Sequence, residues 1–385
     1  NSWSIRLAGR LAAAGRSVAL VEHTCVDWHP RLDMALPAGV RHVVCPGATP
    51  VNANAGDAEG YAEVYRELLP AAFVPNFSAA AYAACARLAA ERPDDVRILG
   101  VAHGHSKHYV DVLRYYEPVI HAFVATNRAM DRELREGMPE RTGDIVLRPC
   151  AVDVEADLRR EPRAAGQPLR LVYAGRITNH EKRVSDLVPL ARELDKLGVD
   201  FTLRIVGEGG YKKWLLREVG ELDEPLRKRI AVDAMVAPDR MSAVWDQSDI
   251  CLLVSDTESG GISMLEAMAR GCVPVSTRTE GPSEIIRHGQ NGFLADVGDM
   301  AGMARVVQSL EKDRALFPTI GQHAWETVRD SFSQDAYVPW FGALLDELWR
   351  KPPRRWPEER PLLPPRKAAA GWRNMIGRLF RMPAS

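Results

Sequence analysis

Charge of one sign is missing from this chain of 385 residues, in which 50 Lys and Arg stand against 51 Asp and Glu for a formal net charge of −1. That balance offers no global field to draw in a polyanion, so nucleic acid drops out of the expected partners. Long apolar runs are also missing. None approaches the ~20 residues needed to cross a bilayer, and no signal-peptide pattern is visible. Cysteine is sparse: Cys25, Cys45, Cys85, Cys150, Cys251 and Cys272 are scattered and form no CxxC pair. They predict reduced core thiols of a cytoplasmic protein, not a disulfide frame or a metal centre. An Asp-x-Asp segment that would hold a divalent ion is absent from the sequence as well.

What is present suits a soluble globular protein, 46% hydrophobic and 26% charged, long enough for two domains with a core each. Short apolar runs alternate with helical patterns in the manner of a parallel α/β sheet. Predicted strands include 42–45, 72–74, 97–102, 122–125, 169–173, 201–206, 230–236 and 250–254. Pro50 to Gly60 is rich in turn formers and predicts a mobile loop. The stretch 152–168, charged and rich in small residues, predicts a linker.

The most informative stretch runs from Ser248 to Thr277. An apolar strand enters the turn Asp256-Thr257-Glu258-Ser259-Gly260-Gly261, a helix follows from Ile262 to Arg270, and Gly271 precedes a second strand. The backbone N–H groups behind two glycines suit an anionic group. Glu258 lies on the loop and Glu266 about one turn inside the helix, so both carboxylates can face the crevice at the strand's carboxyl end. Other loops add to this picture. His103 ends the strand 97–102 beside Gly104, with His105 and Lys107 close by, and a histidine there can donate or accept hydrogen bonds. After the strand 169–173 come Gly175, Arg176, Lys182 and Arg183, cations that suit a diphosphate. After the strand 201–206 comes the cluster Gly207-Glu208-Gly209-Gly210, weak evidence alone because any tight turn uses glycine.

The spacing Glu258-x7-Glu266, followed by Ala-Met-Ala-x-Gly-x-x-Pro-Val over 267–275, resembles the E-x7-E motif of retaining glycosyltransferases of family 4. The resemblance implies the GT-B fold, α/β with two Rossmann-like domains facing each other across a cleft and a C-terminal helix crossing back to the first. On this chain it implies an acceptor-side domain over 1–160, a nucleotide-sugar-binding domain over 161–335, a crossing helix over 336–350 and a Pro/Arg-rich basic tail over 351–385. In that family a strand and a glycine-rich loop precede the helical pattern that opens this chain at Asn1, which leads us to expect a missing N-terminal strand.

The resemblance implies roles as well. Arg176 and Lys182 hold the donor diphosphate with the backbone near Gly261 and Ile262; Lys182 lies one residue beyond the usual spacing, so Arg183 competes with it. Gly207 lines the nucleotide pocket, Glu266 holds the ribose, Glu258 hydrogen-bonds the donor sugar, and His103, or His105 in its place, contacts that sugar. No cofactor or metal is implied; a nucleotide-diphosphate sugar enters as co-substrate, and the acceptor is a glycan, a lipid-linked glycan or a small molecule. Two other readings are a GT-B phosphorylase and a non-catalytic GT-B scaffold. Within the tail, Trp372, Met375, Ile376, Leu379 and Phe380 share a helical face near three arginines, a pattern for peripheral contact with an anionic membrane through 372–381 or for a merely solubilising tail.

Overall fold

The computed structural model describes residues 2–23, 36–45, 55–76, 78–104, 107–160 and 166–364. The described residues part into two compact units, 2–149 with 337–364, and 150–336.

In the first unit, β1 (Val18–His23) pairs in parallel with β2 (Val40–Cys45). A second parallel sheet takes β3 (Ala71–Phe73), β4 (Val96–Ala102), β5 (Ala122–Ala125) and β6 (Ile145–Leu147) in that order. Every residue of β4 and β5 is buried, which is why β5, and β4 beyond Arg97, read as apolar runs. Gly100 in β4 is required by packing: a Cβ there would come within 2.8 Å of Leu113 and 3.0 Å of Phe123. The helix Ala79–Glu91 is capped by Ser78, whose hydroxyl accepts from the Ala81 N–H at 3.2 Å. Its small alanines bury almost completely.

Of the mobile loop expected over Pro50 to Gly60, the part from Ala55 onward is a helix in the structure. Residues 46–54 lie outside the described residues, and Ala55–Arg66 is a helix. Ala58, Tyr61, Ala62 and Tyr65 fall at helical spacing and bury in the core, with Tyr65 stacked on Phe73 at 4.5 Å. That burial outweighs the weak helix propensity of Gly56, Asp57 and Gly60.

The helix Gln334–Arg350 supplies the first unit from Tyr337 onward. Arg16 donates to both carboxylate oxygens of Asp346 at 2.8 and 2.6 Å. The buried Arg97, at the start of β4, donates to the Leu348 carbonyl at 2.9 Å. The basic segment beyond this helix packs closely as far as Leu363. Trp356, 6% exposed, lies 5.5 Å from the ring of Tyr116, and the Tyr115 and Tyr116 hydroxyls donate to the carbonyls of Pro361 and Leu362. Proline bars a helix here but not an extended strap. The helical face expected over 372–381 lies outside the described residues, and no helix among those described is long and apolar enough to cross a membrane.

The second unit holds one parallel sheet of β7 (Leu169–Ala174), β8 (Phe201–Val206), β9 (Ile230–Asp233), β10 (Ile250–Leu253), β11 (Val273–Thr277) and β12 (Phe293–Ala295). Its order is β12-β11-β10-β7-β8-β9. The first and fourth strands of this unit are therefore neighbours, and their connections leave in opposite directions. Ligands of doubly wound sheets bind outside the carboxyl ends of the strands at this switch point. The stretch 152–160 packs with this unit: Val152 is fully buried and its N–H donates to Phe332 at 2.9 Å.

Candidate functional site

Three loops meet at the carboxyl edge of the second unit's sheet. The loop after β7 carries Gly175 to Arg183, the loop after β8 carries Gly207 to Tyr211, and the loop after β10 carries Asp256 to Gly261. Backbone bonds join them. Gly175 N donates to Val206 O at 3.0 Å, Ile177 N to Glu208 O at 2.8 Å, and Tyr211 N to Ile177 O at 3.1 Å. On the other side, Asp256 N donates to Glu181 O at 3.0 Å. Gly207 permits this close approach, because a Cβ on it would collide with the Gly175 carbonyl oxygen, and one on Gly209 with Ile177.

Glu258 sits at the centre of the arrangement. One carboxylate oxygen pairs with the Lys182 ammonium, and the other accepts from the Gly261 N–H at 3.2 Å. Gly261 lies in the left-handed region, φ 55° and ψ 51°, which glycine adopts without a Cβ clash. The helix behind it spans Ile262–Met268, two residues shorter at its end than the sequence pattern predicts. The backbone carbonyl of Glu258 accepts from Gly281 N at 2.9 Å, and Gly281 is again needed, since a Cβ would lie 2.5 Å from Ser259 O. The start of the helix Glu280–Ile285 is thereby a buttress of the Glu258 loop. Glu266 is half-buried on the helix, and its carboxylate, after burial and the Cys272 thiol, helps raise the pKa of the Cys251 thiol on β10.

Of the two cations competing for one role, Lys182 points to Glu258 and is 17% exposed. Arg183 adopts a left-handed backbone, φ 46°, and donates to Asp186 at 2.8 Å. Arg176 is more open, at 53% exposure, and pairs with Glu181 at 2.5 Å. The Tyr173 hydroxyl donates to the Arg176 carbonyl at 2.8 Å, and burial, with Glu258 nearby, pushes its pKa up.

His103 belongs to the first unit. Its Nε2 lies 3.1 Å from Asn76 Oδ1, and Trp3 meets its ring edge-on at 4.4 Å. Burial lowers its pKa to about 3, so the imidazole is neutral at physiological pH. His105 lies outside the described residues. Glu181, Tyr173 and Lys212 escaped the reading of the sequence. The one available signal was Glu181 itself, a carboxylate inside a cationic loop.

Residues 154–326 match the family model described as glycosyl transferases group 1. The N-acetyl-alpha-D-glucosaminyl L-malate synthase of Bacillus anthracis is 32% identical over 169 residues, 44% of this chain and 43% of that protein. This chain thus spans less than half the length of that relative. Sucrose-phosphate synthase from Thermosynechococcus elongatus superposes with a TM-score of 0.70 at 16% identity, covering 91% of this chain and 93% of that one. HepE of Anabaena, solved in complex with UDP and glucose, gives 0.65 at 15% identity, covering 80% and 86%. These likenesses establish the GT-B fold.

Proposed function

We propose that this chain, whose residues 154–326 match the family model described as glycosyl transferases group 1, is a retaining, metal-independent glycosyltransferase. It moves a sugar from a nucleotide-diphosphate sugar to a glycan, lipid-linked or small-molecule acceptor. The observation that carries this reading is the ion pair of Lys182 with Glu258 at the switch point of the second sheet. It sets a cation of the β7 loop against the first carboxylate of the E-x7-E motif. The complexes of HepE with UDP and glucose support the choice of a nucleotide-sugar donor.

The bond that breaks joins the anomeric carbon to a diphosphate oxygen, and negative charge grows on that oxygen as it leaves. Lys182 and Arg176 face that charge, which preorganised donors stabilise best in a water-poor site. They supply the positive charge that a divalent ion brings elsewhere. Lys182 pairs with Glu258; the donor diphosphate takes Lys182 over and releases Glu258 to hydrogen-bond the sugar hydroxyls. Glu266 holds the ribose. His103 keeps the role the resemblance gives it, as a neutral hydrogen-bonding group, because burial keeps the imidazole uncharged. The new bond forms from the acceptor hydroxyl to the anomeric carbon on the face the diphosphate leaves, and the acceptor proton passes to the departing phosphate. Glu258 forms no covalent bond in this scheme.

The test is nucleotide release from UDP-, ADP- and GDP-sugars in EDTA, with and without glycan acceptors. Acceptor-stimulated release from one donor class supports the reading. Release of sugar phosphate that requires inorganic phosphate would make the protein a phosphorylase, and binding without any turnover would make it a scaffold.

A further inference from the structure

Lys212 opens the helix Lys212–Gly220, an unfavourable place for a cation because a helix N-terminus already carries partial positive charge. The side chain is 19% exposed. Its ammonium donates in three directions, to Glu208 Oε1 at 2.6 Å, to the Asp233 carbonyl at 3.2 Å and to the Gly207 carbonyl at 3.4 Å. Asp233 ends β9, whereas Gly207 and Glu208 follow β8. One side chain thereby ties the carboxyl ends of two neighbouring strands. The Asp233 carboxylate is held separately, by Arg204 at 2.5 Å.

This tie is the outer end of a longer series. Glu208 O and Val206 O accept from Ile177 N and Gly175 N, the Ile177 carbonyl accepts from Tyr211 N, and the Glu181 carbonyl accepts from Asp256 N. Backbone bonds therefore run from the β8 loop through the cationic loop to the loop of Glu258. These joints are made by backbone groups and need glycine at 207 and 209 for the close approach, whereas Lys212 makes its tie with a side chain. A lysine suits the position because three rotatable donors can meet three acceptors.

We propose that Lys212 is a positioning residue of the nucleotide-sugar site. It fixes the loop 207–211 against β9, and through it the loop carrying Arg176 and Lys182, without touching ligand itself. The ligand rests on the proposed function; the clamp does not. Removing the ammonium leaves a half-buried carboxylate and two carbonyls without their donor, and the loops gain alternative positions that nucleotide binding must then restrict.

The experiment compares full-length wild type with Lys212→Met, Lys212→Arg and Glu208→Gln. Amide hydrogen exchange at Ile177 and Tyr211 is followed without ligand, and affinity is then measured for UDP, ADP and GDP. In Lys212→Met, exchange at Ile177 and Tyr211 accelerates about tenfold while amides inside β7 and β10 are unchanged. Nucleotide affinity falls about tenfold, KM for the donor rises with kcat nearly constant, and Lys212→Arg recovers most of both. Unchanged exchange at Ile177 and Tyr211 would overturn the proposal, as would equal acceleration throughout the sheet or an affinity within about twofold of wild type. Should Lys212→Met not fold, Glu208→Gln, which weakens the same clamp, must show the smaller version of both effects. A wild type that binds none of the nucleotides refutes the proposed function, and the exchange data still decide the clamp.

Discussion

Lys182 and Glu258 stand 76 residues apart in the chain and meet as an ion pair whose side chains are only 17% and 14% exposed. A pair this sheltered is screened less than a surface pair, and removing one member leaves the other charge poorly solvated. Each partner is therefore costly to lose, and the two losses have different consequences.

Substituting Glu258→Gln removes the carboxylate that competes for Lys182. Affinity for a nucleoside diphosphate is expected to rise about tenfold, the equivalent of roughly 1.4 kcal/mol. Sugar transfer is expected to fall by about 10² or more, since the hydrogen bond to the donor sugar weakens where charge develops. Calorimetry reads the first effect and product formation the second.

Lys182→Ala and Arg183→Ala separate two neighbouring cations. The first leaves Glu258 unpaired and takes a charge from the diphosphate, so nucleotide affinity drops about tenfold or more. The second breaks only the contact with Asp186, 34% and 14% exposed, and affinity stays within about twofold. Equal losses in the two variants would contradict the assignment.

Gly207→Ala forces a Cβ onto the Gly175 carbonyl oxygen. Overpacking against backbone cannot relax by a rotamer change, so the expected loss is about 2 kcal/mol or more in the second unit. Denaturant titration measures it, and nucleotide affinity falls in parallel because the same loops shift.

The pH dependence of the first unit follows from His121, a fully buried histidine. Its Nδ1 accepts from Ile98 N at 3.1 Å, and burial, with Arg97, Arg354, Lys351 and Arg141 around it, lowers its pKa to about 3. The unfolded chain takes up a proton near pH 6.5 that the folded one refuses. Stability is therefore full above pH 6.5 and declines as pH falls from there toward 3, by up to about 1.4 kcal/mol per unit. His103 in the same unit, its pKa likewise lowered to about 3, adds a slope of the same sign, so His121→Asn, whose side-chain oxygen can accept from Ile98, should remove roughly half of the combined slope in unfolding measured from pH 7 to 5.

How much of this was legible beforehand varied with the physics. Strands such as β5 and β10 stood out because parallel strands buried on both faces are continuous apolar runs. The Glu258-x7-Glu266 spacing was legible through its resemblance to a family motif, since both residues lie within one loop-helix stretch of the sequence. The helix Ala55–Arg66 was not, since its glycines and Asp57 argue for a turn and only the burial of Tyr61 and Tyr65 overrides them. Spacing left Lys182 and Arg183 in competition, and the left-handed backbone of Arg183 sends the two side chains to different partners. Composition likewise marked 351–364 as separate from the fold, although Trp356 packs into the first core through tertiary contacts alone.

The most direct test of the account is a thermal-shift panel of UDP, ADP and GDP in EDTA, on the wild type and on Lys182→Ala. Binding to the folded state raises apparent stability by mass action. We predict that one nucleotide class stabilises the wild type and that Lys182→Ala loses most of that shift while remaining folded. No shift with any nucleotide, or a shift that survives in Lys182→Ala, would contradict a donor diphosphate held at the Lys182–Glu258 pair.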